Sequence, residues 1–170
     1  DMQASNAASM KDLLAVHPKK YLEEFKALSD VDGGLLGLRT PFARGGFDIA
    51  ALSSGLAISA ISDVLKGKYK NSYSLSRPPG HHCLPDYPNG FCLLANIAVA
   101  IEHSIKNKLG KKFCVIDWDV HHGNGTEAIF YNRNDVLTIS IHQERNYPVD
   151  TGMETHQGKQ EGLGYNVNLP

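Results

Sequence analysis

The sequence lacks an excess of either charge: 17 Lys and Arg stand against 18 Asp and Glu in 170 residues, a formal net charge of -1. A dedicated nucleic-acid binder carries a strong basic surplus, so direct binding to DNA or RNA is not expected. No apolar run approaches the ~20 residues of a membrane-spanning helix, and no basic, apolar, small-residue leader is visible. Neither a membrane nor export is therefore expected. Cysteine is scarce. Cys83, Cys92 and Cys114 are an odd set without C-x-x-C spacing, which suits a reducing cytoplasmic setting better than an oxidised secreted scaffold. Internal repeats and low-complexity tracts are also absent. The 42% hydrophobic and 21% charged residues match an ordinary globular domain, long enough to bury a core without disulfides or a structural metal. The chain opens at Asp1 without Met and stops at Pro170 after a strand-like run, so it reads as part of a longer polypeptide.

What is present is an alternation of helix and strand. Residues 1–9 are small and polar, a loose end. Tyr21, Leu22, Phe25 and Leu28 have helical spacing, with Pro18 in the first turn, where proline is tolerated. Ser29 to Gly46 holds Gly33, Gly34, Gly37, Pro41 and Gly45 and reads as a long, functional loop. Phe47 to Leu65 predicts a buried helix, with Asp48 as cap or first-turn acid. Asn71 to Ser76 predicts a short strand, and Phe91 to Ile105 a helix that ends towards Gly110. Phe113-Cys114-Val115-Ile116 is a continuous apolar run, the mark of a fully buried parallel strand. Gly125 to Tyr131 predicts a short helix, and Val136 to Ile141 and Tyr165 to Leu169 predict strands. Strands separated by helices imply right-handed βαβ units and a mostly parallel sheet. The expected class is a three-layer α/β/α fold. Ligands of such folds sit beyond the carboxyl ends of the strands.

Three predicted strand ends carry ligand-type side chains: His81 and His82; Asp117, Asp119, His121 and His122; and His142 after Ser140 and Ile141. In extended chain Asp117, Asp119 and His121 share one face. Two carboxylates and an imidazole placed directly after FCVI are costly to bury, and a divalent metal compensates them. Zinc is the first candidate; iron(II) accepts the same ligands. Asp119 and His121 supply two of three, and no third is evident. In Arg77-Pro78-Pro79-Gly80-His81-His82 the prolines stiffen the approach and Gly80 permits a sharp turn. Paired histidines there suit a general base and its electrostatic partner, against the plainer reading of a solvated surface turn. Asn89-Gly90-Phe91-Cys92 opens the predicted helix, Gly90 permitting close approach of a ligand and Phe91 forming an apolar wall or a core contact. His103 reads as a satisfied or exposed helix residue, His17 and His156 as solvent-exposed, and the cysteines as small buried hydrophobes.

The ordered strings RPPGHH (77–82), NGFC (89–92) and DWDVHHGNGT (117–126) resemble the zinc-dependent histone deacetylase and acetylpolyamine amidohydrolase family, in particular its class II and bacterial members. The resemblance is strongest from about residue 47 to Pro170. It implies an arginase-like α/β fold, with residues 1–170 the N-terminal part of one catalytic domain. It also implies zinc beneath a narrow tunnel and an acetylated lysine or polyamine-type amine as substrate. Asp119 and His121 match zinc ligands. His82 matches the general base and acid, and His81 its companion, hydrogen-bonded to Asp117. Asn124 stands where many members have the aspartate partner of the second histidine, a swap that leaves His82 less polarised. Gly90, Phe91 and Tyr147 match tunnel walls. The resemblance further implies potassium held by the Asp117 side chain, carbonyls of Asp117, Asp119, His121 and Ile141, and the Ser140 hydroxyl. A second monovalent site would use Phe130, Arg133, Val136 and Tyr165. The remaining zinc-binding Asp and the carbonyl-polarising Tyr or His of the family lie in loops past the position of Pro170. Two other readings are a weakly catalytic acetyl-ligand binding module and a binuclear ureohydrolase, the latter needing ligands that one D-x-D-x-H cluster does not supply.

Overall fold

Ser9 starts the first helix with a reciprocal cap: the Asp12 N–H donates to its hydroxyl, and its own N–H donates to the Asp12 carboxylate. Two donors that a helix start otherwise leaves open are thereby satisfied. In this computed structural model, which describes residues 3–170, that helix is α1 (Met10–Leu13). Pro18 then caps α2 (Lys19–Val31), whose buried stripe is Tyr21, Leu22, Phe25 and Ser29. The chain divides into two units, one ending at Gly110 and the other Lys111–Pro170.

In the first unit the glycine-rich stretch is not a plain loop. Helix α2 runs to Val31, and β1 (Gly33–Leu35) pairs antiparallel with β2 (Pro41–Ala43). The Phe42 ring meets Phe25 edge-on at 4.7 Å, and Phe25 meets Phe47 at 5.2 Å. Aromatic packing of this kind overrides the local preference of the glycines for open loop. Helix α3 (Gly46–Leu65) packs along α4 (Asn96–Lys106). Contrary to the sequence reading, α3 is by length and composition apolar enough to cross a bilayer. Its Ser54 hydroxyl donates to Asn96 Oδ1 at 2.7 Å, and Asn96 Nδ2 donates to Ser53 Oγ at 3.0 Å; such contacts belong to a core helix. The second helix starts at Asn96 rather than Phe91, because residues 89–92 close a tight turn instead. The strand expected over Asn71 to Ser76 does not form. The Ser72 hydroxyl donates to the Ala60 carbonyl and the Ser74 and Ser76 hydroxyls meet, so local side-chain bonds replace a ladder. His81 and His82 therefore follow a loop, not a strand end.

The second unit is a parallel sheet in the order β3 (Phe113–Asp117), β4 (Val136–Ile141), β5 (Asn166–Leu169). Helix α5 (Asn124–Phe130) links β3 to β4, and a 3-10 turn at Gln160–Gly162 precedes β5. Register places Asp117 opposite Ser140 and Ile116 opposite Ile139. The period of two then sorts the side chains. Val115, Thr138, Ser140, Asn166 and Asn168 are buried, whereas Cys114, Ile116, Ile141 and Leu169 are exposed. The FCVI run is thus parallel but covered on one face, and Cys114 is not the buried hydrophobe expected of it. The reason is that α5 covers only the face bearing the polar residues.

Candidate metal centre and active site

β3 ends at Asp117, and its carboxylate immediately turns the chain. The Asp119 N–H donates to Asp117 Oδ1 at 3.1 Å, and the His121 N–H donates to Asp119 Oδ1 at 2.8 Å. Short Asp side chains favour such turns, so the D-x-D-x-H segment is coiled rather than extended. The coil still joins the two expected ligands: His121 Nδ1 lies 3.1 Å from Asp119 Oδ1, and both side chains are partly exposed. Two ligands roughly 2.0–2.2 Å from a tetrahedral zinc stand about 3.4 Å apart, so this pair fits one edge of such a site. Among the described residues no group of three or more His, Cys, Asp or Glu side chains is arranged to hold a metal. Among the described residues, Asp119 and His121 are the expected donors that meet. Tyr147 stands edge-on to His121, with ring centroids 5.9 Å apart at 87°. Asn124 opens α5, its N–H donating to the His122 carbonyl.

Behind this pair lies a buried polar cluster that the sequence analysis missed. His122 Nδ1 is 2.9 Å from the Thr151 hydroxyl, and that hydroxyl donates onward to the Pro148 carbonyl. On the other side His122 Nε2 lies 3.2 Å from Glu127 Oε2, an ionic approach lacking hydrogen-bond alignment. Glu127 also accepts from Asn166 Nδ2 at 2.7 Å and Asn168 Nδ2 at 2.8 Å. Burial alone would raise the Glu127 carboxyl, but the nearby His122 ring and the bonds from Asn168 and Asn166 outweigh burial and hold it below the ordinary value. His142 Nε2 lies 3.1 Å from the Gly152 carbonyl, which only accepts, so this nitrogen carries the proton. The Ser140 hydroxyl, 2.9 Å from Nδ1, then donates to the ring while its oxygen accepts the Gly123 N–H at 3.4 Å. Burial lowers the His142 pKa. The signal for this cluster was Glu127 in the first turn of α5, one residue past the motif.

The residues matched to a second monovalent site fall at element edges: Phe130 ends α5, Val136 begins β4 and Tyr165 precedes β5. The Phe130 carbonyl already accepts the Arg133 N–H, and the Tyr165 carbonyl the Thr138 N–H. The Thr138 hydroxyl also approaches the Tyr165 carbonyl, at 3.5 Å, whereas a carbonyl with one donor, as at Phe130, retains a second lone pair.

In the other unit the rings of His81 and His82 lie with centroids 3.9 Å apart, tilted by 38°, and His82 is buried. The His82 N–H donates to Cys92 Sγ at 3.4 Å. Cys83 and Cys92 are buried free thiols, and burial pushes the Cys83 thiol up. His103 Nδ1 is satisfied by Asp12 at 2.8 Å. His17 departs from expectation: it is buried, between Pro85 and Ala95. His156 is only partly exposed, with Nδ1 3.6 Å from Glu127.

Residues 1–170 match the histone deacetylase domain family along their whole length. The chain belongs to the histone deacetylase family. It is 53% identical over 169 residues to the histone deacetylase-like amidohydrolase of Pseudomonas aeruginosa, covering 99% of this chain and 44% of that protein. A probable deacetylase of Archaeoglobus fulgidus is 40% identical over 163 residues, covering 96% and 45%. The crystal structure of the HDA15 HD domain aligns with a TM-score of 0.92 at 34% identity, covering 98% of this chain and 48% of that one. The α/β deacetylase fold expected from the sequence is therefore the fold observed. This deacetylase-family chain spans about half the length of the relatives it matches.

Proposed function

We propose that residues 1–170 form the N-terminal part of one zinc-dependent deacetylase domain, which hydrolyses N-acetyl amides of lysine or polyamine-type amines to acetate and free amine. The observation that carries this reading is the meeting of Asp119 and His121 at 3.1 Å beside the Tyr147 ring, in a chain 53% identical to a deacetylase-like amidohydrolase. Bound at that pair, zinc would supply Lewis acidity and lower the pKa of a coordinated water towards about 7. His82 would accept a proton from the attacking water and return one to the leaving amine. Asp117, His81 and Asn124 tune the imidazoles. Phe91 and Tyr147 hold the aliphatic stem of the substrate. Potassium at Asp117, Ser140 and the neighbouring carbonyls is part of this reading, supported by the direct pairing of Asp117 with Ser140 in the sheet; Phe130, Arg133, Val136 and Tyr165 would hold the second ion. The free state of all three cysteines supports a cytoplasmic setting.

Metal analysis and a fluorogenic acetyl-lysine assay on the intact protein test the proposal. His82→Ala should abolish turnover while zinc stays at one per site; Asp119→Ala should lose both zinc and turnover. Full activity in His82→Ala would reject the assignment. An arginine-hydrolysis assay run in parallel separates deacetylation from ureohydrolase chemistry.

A further inference from the structure

His17, just ahead of α2, is buried and uses both ring nitrogens. Its Nδ1 lies 2.7 Å from the Pro85 carbonyl, and the Ala95 N–H donates to its Nε2 at 3.1 Å. A carbonyl only accepts and an amide N–H only donates, so Nδ1 carries the proton and Nε2 is bare. One helical turn on, the Tyr21 hydroxyl donates to the Leu93 carbonyl at 2.6 Å. These two side chains therefore grip one loop at Pro85, Leu93 and Ala95.

Between the grips lies the turn that presents Phe91. Asn89 and Cys92 exchange both backbone bonds, at 3.1 and 2.8 Å, and the central residues Gly90 and Phe91 have φ of 50° and 66°. Positive φ at both centres marks a type I′ turn. For an aromatic side chain that backbone is strained and persists only where its surroundings enforce it. The tip is enforced from outside too: the Gly90 N–H donates to the Leu38 carbonyl and the Phe91 N–H to Arg39, each at 3.0 Å. At Gly37 a Cβ would stand 2.0 Å from the Pro88 carbonyl, so this support approaches as closely as glycine allows. Phe91 nevertheless remains 63% exposed. The side chain thus stands on a strained turn held at its base and its tip, with its ring left available.

We infer that His17 is a positioning residue: with Tyr21 it clamps the base of the 89–92 turn and so fixes the orientation of Phe91. Its effect on catalysis rests on the proposed role of Phe91 in holding substrate, whereas the clamp itself does not.

Amide hydrogen exchange on the intact protein separates the two. His17→Phe keeps a ring and removes both hydrogen bonds. Exchange at Gly90 and Phe91 should accelerate about tenfold or more, with little change at Val99 and Ile101 in α4, as local opening requires. KM for an acetyl-lysine peptide should rise about fivefold while kcat stays within about twofold. His17→Asn, which can keep the donor towards Pro85, should restore most of the protection. Unchanged exchange at Gly90 and Phe91, or equal acceleration throughout α4, would overturn the clamp. A loosened turn with unchanged KM upholds the clamp and removes Phe91 from the substrate wall. Should His17→Phe fail to fold, Tyr21→Phe, which deletes the bond to Leu93 together with the hydroxyl's contact to Cys83, carries the same test with the same outcomes.

Discussion

The unit ending at Gly110 and the unit beginning at Lys111 spend their buried positions differently. The first encloses an apolar centre of Leu13, Leu22, Phe25, Phe47 and Val99, and ties polar groups such as His17 and Asn96 to specific partners. The second covers Thr138, Ser140, Asn166 and Asn168 around Glu127, while Cys114, Ile116, Ile141 and Leu169 point outward. Apolar burial is non-directional and serves stability. A satisfied polar layer is directional and fixes side chains in place. The contrast therefore divides labour: the apolar centre of one unit supplies stability, and the polar layer of the other a lattice of donors and acceptors that fixes side chains in the unit bearing the Asp119–His121 pair.

The comparison can be broken by mutation, and the largest effect belongs to the apolar centre. Phe25→Ala should cost about 3–5 kcal/mol, read from the urea midpoint, because it empties a fully enclosed site that three aromatic rings share. Acid should come next. Burial lowers the His17 pKa from 6.5 to about 4 against the opposing bond to Pro85, so the unfolded chain binds the extra proton first. Stability should fall as pH drops from about 6.5 towards 4, by about 3 kcal/mol at most, and His17→Phe should flatten that window. Glu127 has the opposite sign: its depressed carboxyl contributes stability above the ordinary 4.5 that is lost as pH falls through its folded value. Its removal as Glu127→Ala should cost about 1–3 kcal/mol by leaving the Asn166 and Asn168 amides unpaired. The smallest effect is expected on the outward face of the sheet, where Ile116→Ser in this chain should stay within about 0.5 kcal/mol. A loss as large as that of Phe25→Ala would show that Ile116 belongs to a core and sink the contrast.

Much of this was legible in the residues. Val136 to Ile141 is a strand with the boundaries expected, because a run rich in β-branched residues between Asp135 and His142 leaves little choice. The α3 helix was equally readable from its spacing. Resemblance matched Tyr147 to a tunnel wall; its edge-on contact with His121 was not among the expectations. Other positions were misread for identifiable reasons. Glycine density in 29–46 argues for loop, but Phe42 packing converts it into a hairpin. Apolar periodicity beyond Phe91 argues for helix, but the Gly90 and Phe91 N–H groups donate to the Leu38 and Arg39 carbonyls and hold a turn there. His17 was assigned to solvent because a lone histidine next to proline has no visible partner; both of its partners lie more than sixty residues away. Glu127 was overlooked for the same reason, since its amide partners come from β5.

Chain order alone determined the chemical inventory of this protein: which strings carry carboxylates, imidazoles and thiols, which runs favour strand, and which family the combination belongs to. Those are properties of covalent neighbours, and covalent neighbours are written in the sequence. Tertiary structure decided which face of the sheet is wet, which histidines are dry, and how the chain after β3 turns so that the Asp119 carboxylate meets His121. Each of those outcomes depends on contacts between residues far apart in the chain or on turns whose geometry local patterns do not specify, so only the folded backbone could supply the partner.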